Sequence, residues 1–226
     1  MTDATPVTIS AFDWVPEFAR GRVRDLIVRW ALEELGRPYR TVLLDARQPR
    51  GPDYLAWQPF DQVPAYREGE VELFEAGAIL VHLAEGDERL MPRDPAARAK
   101  VLSWTIGALN SFEPPVRQYS LLAVFQRDQP WCEDARDAFR PLAEKRMQRL
   151  ADALGDAEWI AGRFSIADIV LVFLLESVAE EELVARFPTL VAYRARGTAR
   201  PAYQRALQAQ LDDFTDEAAR GPTEGA

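Results

Sequence analysis

The chain has one cysteine, one histidine and two lysines among its 226 residues. Cys132 alone excludes an internal disulfide, and with His82 as the single histidine there is no Cys/His cluster of the kind that ligates zinc, so no metal is expected. No apolar run approaches the roughly 18 residues that span a bilayer. The N-terminus lacks the pattern of a secretory leader, and a cytoplasmic protein with no membrane partner is the expectation. Clustered positive charge is missing as well. The net charge of -9 argues against a general nucleic-acid binder, which needs a basic face. Lys100 and Lys145 are the only lysines, so basic charge is almost all arginine, and together with abundant alanine this composition points to a GC-rich bacterial source.

What is present divides the chain in two. Val7 to Phe12 reads as a strand, and Val23, Leu26, Ile27, Trp30 and Ala31 recur at helical spacing up to Gly36, a C-cap. Tyr39 to Leu44 reads as a second strand. A Pro/Gly-rich connection from Arg47 to Phe60 follows, then two short strands around the turn Glu68-Gly69-Glu70, then a helix from about Glu75 to Glu85. The segment after Glu85, through Gly86 and Pro92, is polar and broken as a linker should be. Beyond it strand signals stop. Asp94-Pro95 and Arg200-Pro201 place proline at helix starts, and Ser165-Ile166-Ala167-Asp168 is a capping box ahead of a run apolar on every side, which belongs in a core. Phe112, followed by Glu113-Pro114-Pro115, marks the end or a break of the first long helix of this region. The reading is an α/β domain over residues 1–85, a linker over 86–93, an all-α domain over 94–214, and a frayed acidic tail over 215–226.

Asp61-Gln62-Val63-Pro64, with Glu75-Ala76-Gly77-Ala78-Ile79 eleven residues beyond the proline, describes a site for a small anionic peptide. A residue before proline is pushed into extended geometry, and proline donates no hydrogen bond, so Val63-Pro64 reads as an open edge with main-chain groups to offer; a cis bond there is compatible. The helix opening near Glu75 adds unpaired N–H groups and a partial positive charge that suit a carboxylate.

That arrangement resembles the glutathione-binding half of the cytosolic glutathione transferase superfamily. The resemblance runs along nearly the whole chain, through Leu90-Met91-Pro92-Arg93-Asp94-Pro95 to Trp104, the capping box preceded by Gly162, and Arg200-Pro201-Ala202. It implies a thioredoxin-like first domain, an all-helical second domain, glutathione as co-substrate and a homodimer. It also implies that Val63-Pro64 pairs with the cysteinyl main chain of glutathione, that Gln62 stands where a side chain reaches the glycyl end, and that Glu75 holds the γ-glutamyl end. Ala76 departs from the family's serine at that place. Losing one neutral hydrogen bond costs roughly 0.5 to 1.5 kcal/mol, which weakens binding without abolishing it.

The chemistry the resemblance implies is activation of the glutathione sulfur, since the thiolate is the nucleophile. Lowering a thiol pKa by about two units corresponds to roughly 2.7 kcal/mol of thiolate stabilisation. Family members use a Tyr, Ser or Cys soon after the first strand, and between Phe12 and Arg24 this chain has none. Anchoring on Val23-Arg24 places Glu17 to Arg20 where that residue falls. Arg20 is then the candidate catalytic cation, with Arg22 and backbone donors beside it, against a plain solvated helix start as the alternative. Ser10, inside the first strand, is a poorer candidate. Trp14, Phe112 and Tyr119 are candidates for lining the second-substrate pocket, with packing as the competing role of each. Trp57 and Phe60 either insert into a partner subunit or cover their own domain. Cys132 reads as a structural thiol, and His82 receives no role. The expected function is conjugation of glutathione to, or its use to reduce, a small electrophilic apolar compound. The alternatives are glutathione-dependent disulfide or peroxide reduction within the enzyme class, and a non-enzymatic binding or regulatory protein on the same fold.

Overall fold

A computed structural model describes residues 6–178 and 181–215. The chain divides into two compact units, Met1–Leu83 with Pro201–Ala226, and Ala84–Arg200. The tail expected over 215–226 lies, apart from Thr215, outside the described residues.

The first unit is built on a four-stranded sheet of order β2-β1-β3-β4, where β1 is Val7–Trp14, β2 Tyr39–Asp45, β3 Ala65–Glu68 and β4 Val71–Phe74. β1 and β2 run parallel; β1 with β3 and β3 with β4 run antiparallel. A parallel pair needs a crossover, and helix α1, Asp25–Leu35, supplies it. Val7, Ile9 and Ala11 alternate along β1 into the core. On α1, Leu26, Ile27, Trp30 and Ala31 are completely buried, as their spacing predicts. Gly36 ends the helix at φ 64, donating its N–H to Glu33 O and Leu32 O, the left-handed cap that favours glycine. The connection read as irregular contains a short helix α2, Pro52–Trp57, and the helix after the hairpin is α3, Ala76–Ala84.

The second unit is helical: α4 Pro95–Gly107, α5 Glu113–Phe125, α6 Cys132–Leu154, α7 Ile166–Ser177, α8 Glu181–Ala185 and α9 Pro188–Thr198. Asp94 caps α4 by accepting from Ala97 N–H at 2.8 Å. The break expected after Phe112 is a wide π turn over Ala108–Phe112, from which the chain runs straight into α5 with its two prolines in the first turn. The capping box at α7 is formed, and Ile166 to Leu175 is buried throughout. Asp168 accepts from Ser165 N–H at 2.9 Å, Ser165 Oγ–H at 3.0 Å, Ile160 N–H at 3.0 Å and Tyr193 Oη–H at 2.7 Å. It thus ties the start of α7 to the preceding loop and to α9.

The last helix, α10, Pro201–Asp212, packs on α1 within the first unit rather than closing the helical region. Tyr203 meets Trp30 edge-on, with ring centroids 5.0 Å apart. A buried polar set joins the two helices as well: Arg29 bonds Asp25 at 2.7 Å and Asp213 at 2.5 Å, while Gln210 donates to Asp25 at 2.7 Å. Every charge in this set faces a partner, as burial of charge requires.

Candidate functional site

The β3–β4 register brings the two halves of the predicted clamp together. Ala65 lies opposite Phe74, so the residues leaving the sheet at this end, Pro64 and Glu75, emerge side by side, with Val63 and Ala76 next beyond them. β3 itself is an inner strand, and the free rim is the segment before it. The Val63-Pro64 peptide bond is cis. Val63 is buried, yet among the described residues neither its N–H nor its C=O has a hydrogen-bond partner, an uncommon state for buried main chain. Gln62 is exposed beside it.

Glu75 precedes α3 in the left-handed region, at φ 68. A non-glycine residue there carries local strain of about 1 to 3 kcal/mol, and such residues cluster at ligand clamps. Its side chain is exposed, whereas Ala76 is buried. The first bond of α3 runs from Ile79 N–H to Glu75 O at 3.0 Å, so the amides of Ala76, Gly77 and Ala78 stand outside the helix's own ladder.

β1 runs antiparallel to β3, with Ile9 opposite Tyr66, so its far end, Trp14, lies at the same end of the sheet as Val63 and Glu75. A short turn of 3-10 helix, Glu17–Ala19, follows, and Arg20 closes it. Trp14, Val15, Pro16, Glu17 and Arg20 line a cavity of about 190 Å³. The Arg20 guanidinium stands 5.7 Å over the Phe214 ring; its Nε is buried and has no acceptor among the described residues. Trp14 carries the Arg47 guanidinium 5.2 Å over its ring. Gly21, at φ 75, turns the chain so tightly against α10 that an added Cβ would lie 3.1 Å from Leu207. One cavity therefore holds the candidate cation and the candidate apolar wall.

Phe112 and Tyr119 belong to the second unit. Phe112 is buried at the end of the π turn and lines a cavity of about 280 Å³ with Trp104, Gly107 and Leu171. Tyr119 is buried between the Arg136 and Arg140 guanidiniums, 5.1 and 5.3 Å from its ring. Trp57 covers its own unit: it is buried against Tyr54 and donates its indole N–H to Tyr66 O at 3.0 Å. Phe60 is 63% exposed and meets Phe74 edge-on at 5.9 Å. Cys132 is buried, with its thiol 3.4 Å from Leu122 O. His82 faces Tyr66 and the Glu68 carboxylate, at 5.5 and 3.8 Å.

Two hydroxyls beneath the rim carried no sequence signal for this place. Ser10 Oγ accepts the Ala65 N–H at 2.7 Å and lies 2.9 Å from Tyr54 Oη, which donates to Gln62 O at 2.5 Å. Ser10 is fully buried, and burial raises the Tyr54 pKa above its ordinary value against the opposing Ser10 hydrogen bond.

Residues 18–85 match the family model of the glutathione S-transferase N-terminal domain. Glutathione S-transferase GstA of Escherichia coli O157:H7 is 31% identical over 188 residues, 79% of this chain and 90% of that protein. The chain belongs to the glutathione S-transferase family. A second relative, the disulfide-bond oxidoreductase YfcG of Escherichia coli (strain K12), is 27% identical over 80% of this chain and 89% of its own. The glutathione transferase fold is shared with a family member from Pseudomonas fluorescens Pf-5, solved with two glutathione bound. The TM-score is 0.80 at 24% identity, over 92% of this chain and 94% of that one. Among the described residues of this glutathione transferase no helix is long and apolar enough to cross a membrane.

Proposed function

We propose that the first unit binds glutathione along the Val63-Pro64 rim and at the start of α3, and that the protein uses the bound thiol to conjugate or reduce a small apolar electrophile. One observation carries the reading: the β3–β4 register sets the unpaired main chain of Val63 beside Glu75 and the free amides of α3. A peptide strand pairs with the first, its amino end with the Glu75 carboxylate, and its carboxylate with the helix amides. Gln62 stands exposed beside the rim for the glycyl end. The bound thiol must be held as thiolate, and a nearby cation lowers an acid's pKa by roughly one to three units. Arg20 supplies that cation, and Trp14 offers the electrophile a flat apolar face in the same cavity. Holding the two reactants together supplies much of the acceleration.

The missing hydroxyl or thiol between Phe12 and Arg24 favours a second reading, glutathione-dependent disulfide reduction, the activity in the name of one relative. The same departure, with Ala76, also fits a regulatory protein that binds glutathione without turning it over. The exposed Phe60, standing against Phe74, supports a homodimer, and the composition supports a bacterial cytoplasmic protein.

Calorimetric titration with glutathione tests the site. Binding between micromolar and low millimolar is expected. Glu75→Ala should weaken it by about 1.5 to 3 kcal/mol, the usual worth of a charged hydrogen bond. An absence of heat with about 10 mM glutathione, joined by no thermal shift, would overturn the reading, because a ligand of the native state stabilises it. Turnover with an electrophile, or with a mixed disulfide, then separates the two enzymatic readings from the regulatory one.

A further inference from the structure

We infer that Ser10 and Tyr54 are positioning residues for the glutathione rim, acting as a hydroxyl relay that clamps the chain on both sides of Val63-Pro64; the inference rests on the glutathione reading above.

The direction of the relay follows from its ends. Gln62 O can only accept, so the single proton of Tyr54 Oη goes to it, across 2.5 Å. Tyr54 Oη must then accept at its other contact, which makes Ser10 Oγ the donor across 2.9 Å. Ser10, its own proton committed, is left to accept, and it takes the Ala65 N–H at 2.7 Å. The chain therefore reads Ala65 N–H to Ser10 O–H to Tyr54 O–H to Gln62 C=O, with each hydroxyl giving once and receiving once. A buried network this fully satisfied is rigid, and each bond polarises the next.

Its two ends are three residues apart in sequence and enclose Val63 and Pro64. The relay thus fixes the carbonyl before that dipeptide and the amide after it. Those two attachments set the plane in which the unpaired Val63 N–H and C=O face a ligand. The relay comes from two separate elements: Ser10 from inside β1, and Tyr54 from α2, where it packs with Trp57 against Ala65. Neither hydroxyl touches glutathione in this account. Each acts through the backbone, and a ligand strand that needs two aligned main-chain bonds feels a small rotation of the rim strongly.

Ser10→Ala and Tyr54→Phe each delete one oxygen with little change of shape, so both variants should fold. Each should raise the glutathione dissociation constant about tenfold, and the double variant should lose less than the product of the two, because one break already interrupts the relay. Amide hydrogen exchange distinguishes the links: Ala65 loses protection in Ser10→Ala, where its acceptor is gone, and keeps it in Tyr54→Phe. Glutathione affinity within twofold of the parent in both variants would overturn the inference, as would a lowered melting temperature with unchanged affinity, the mark of a purely structural role. Absence of binding by the unaltered protein would overturn the glutathione reading itself and this inference with it.

Discussion

At the scale of single residues, the proposed site rests on Glu75 and Arg20. Glu75 stands at φ 68 with an exposed carboxylate, so its backbone is held where few non-glycine residues sit, and its side chain has no partner among the described residues. Arg20 differs: its guanidinium has the Phe214 ring on one side and the cavity shared with Trp14 on the other. Arg20→Ala should therefore remove the thiolate absorbance of bound glutathione while leaving the binding heat largely in place. Retained absorbance would move the role to backbone donors or to Arg22. Both proposed roles were read from the chain, that of Glu75 from its place at a helix start and that of Arg20 by anchoring on Val23-Arg24. Ser10 and Tyr54 were not, since a hydroxyl in a strand and another 44 residues later share no local pattern.

At the scale of elements, α7 and its two attachments govern the helical unit. Asp168 takes hydrogen bonds from three residues, and although burial pushes its pKa up, those bonds favour the carboxylate. Asp168→Ala would leave several buried donors unmet and should cost on the order of 3 kcal/mol in chemical denaturation. Gly197 on α9 poses a sharper contest. Replacing glycine by alanine inside a helix ordinarily gains about 1 kcal/mol. Here the new Cβ would lie 2.5 Å from Val172 on α7, and overpacking costs about 1 to 3 kcal/mol, so Gly197→Ala should lower the melting temperature. The capping box was plain in the sequence because its bonds span only three residues. The glycine contact was not, because it joins residues 25 apart.

For the molecule as a whole, acid stability turns on which carboxylates the fold protects. Burial works to raise the Glu68 carboxyl, but hydrogen bonds from Tyr66 and Arg37, with the charges of Arg37 and His82, outweigh it and hold the group below its ordinary 4.5. The folded state therefore binds this proton less readily than the unfolded chain. Its contribution is present above pH 4.5 and is lost as pH falls through the lower folded value. Burial raises Asp25 and Asp168 instead, so their share has the opposite sign, full below pH 3.8 and lost as pH rises. Glu68→Gln should lower the melting temperature at pH 7, and that gap should close as the pH drops below about 4.5. A gap that stayed constant to pH 3 would show that Glu68 is not the group concerned.

The sequence by itself determined the order of the four strands with α1 and α3 between and after them, the caps of α1, α4 and α7, and the two short segments that make the proposed clamp. Each depends on neighbours within a turn or two, where proline, glycine and apolar periodicity act directly. Tertiary structure alone decided that α10 packs on α1, that Pro64 and Glu75 emerge side by side, and that hydroxyls from β1 and α2 hold the rim between them. Those outcomes join residues dozens of positions apart, and only strand register and burial bring such residues within reach of one another.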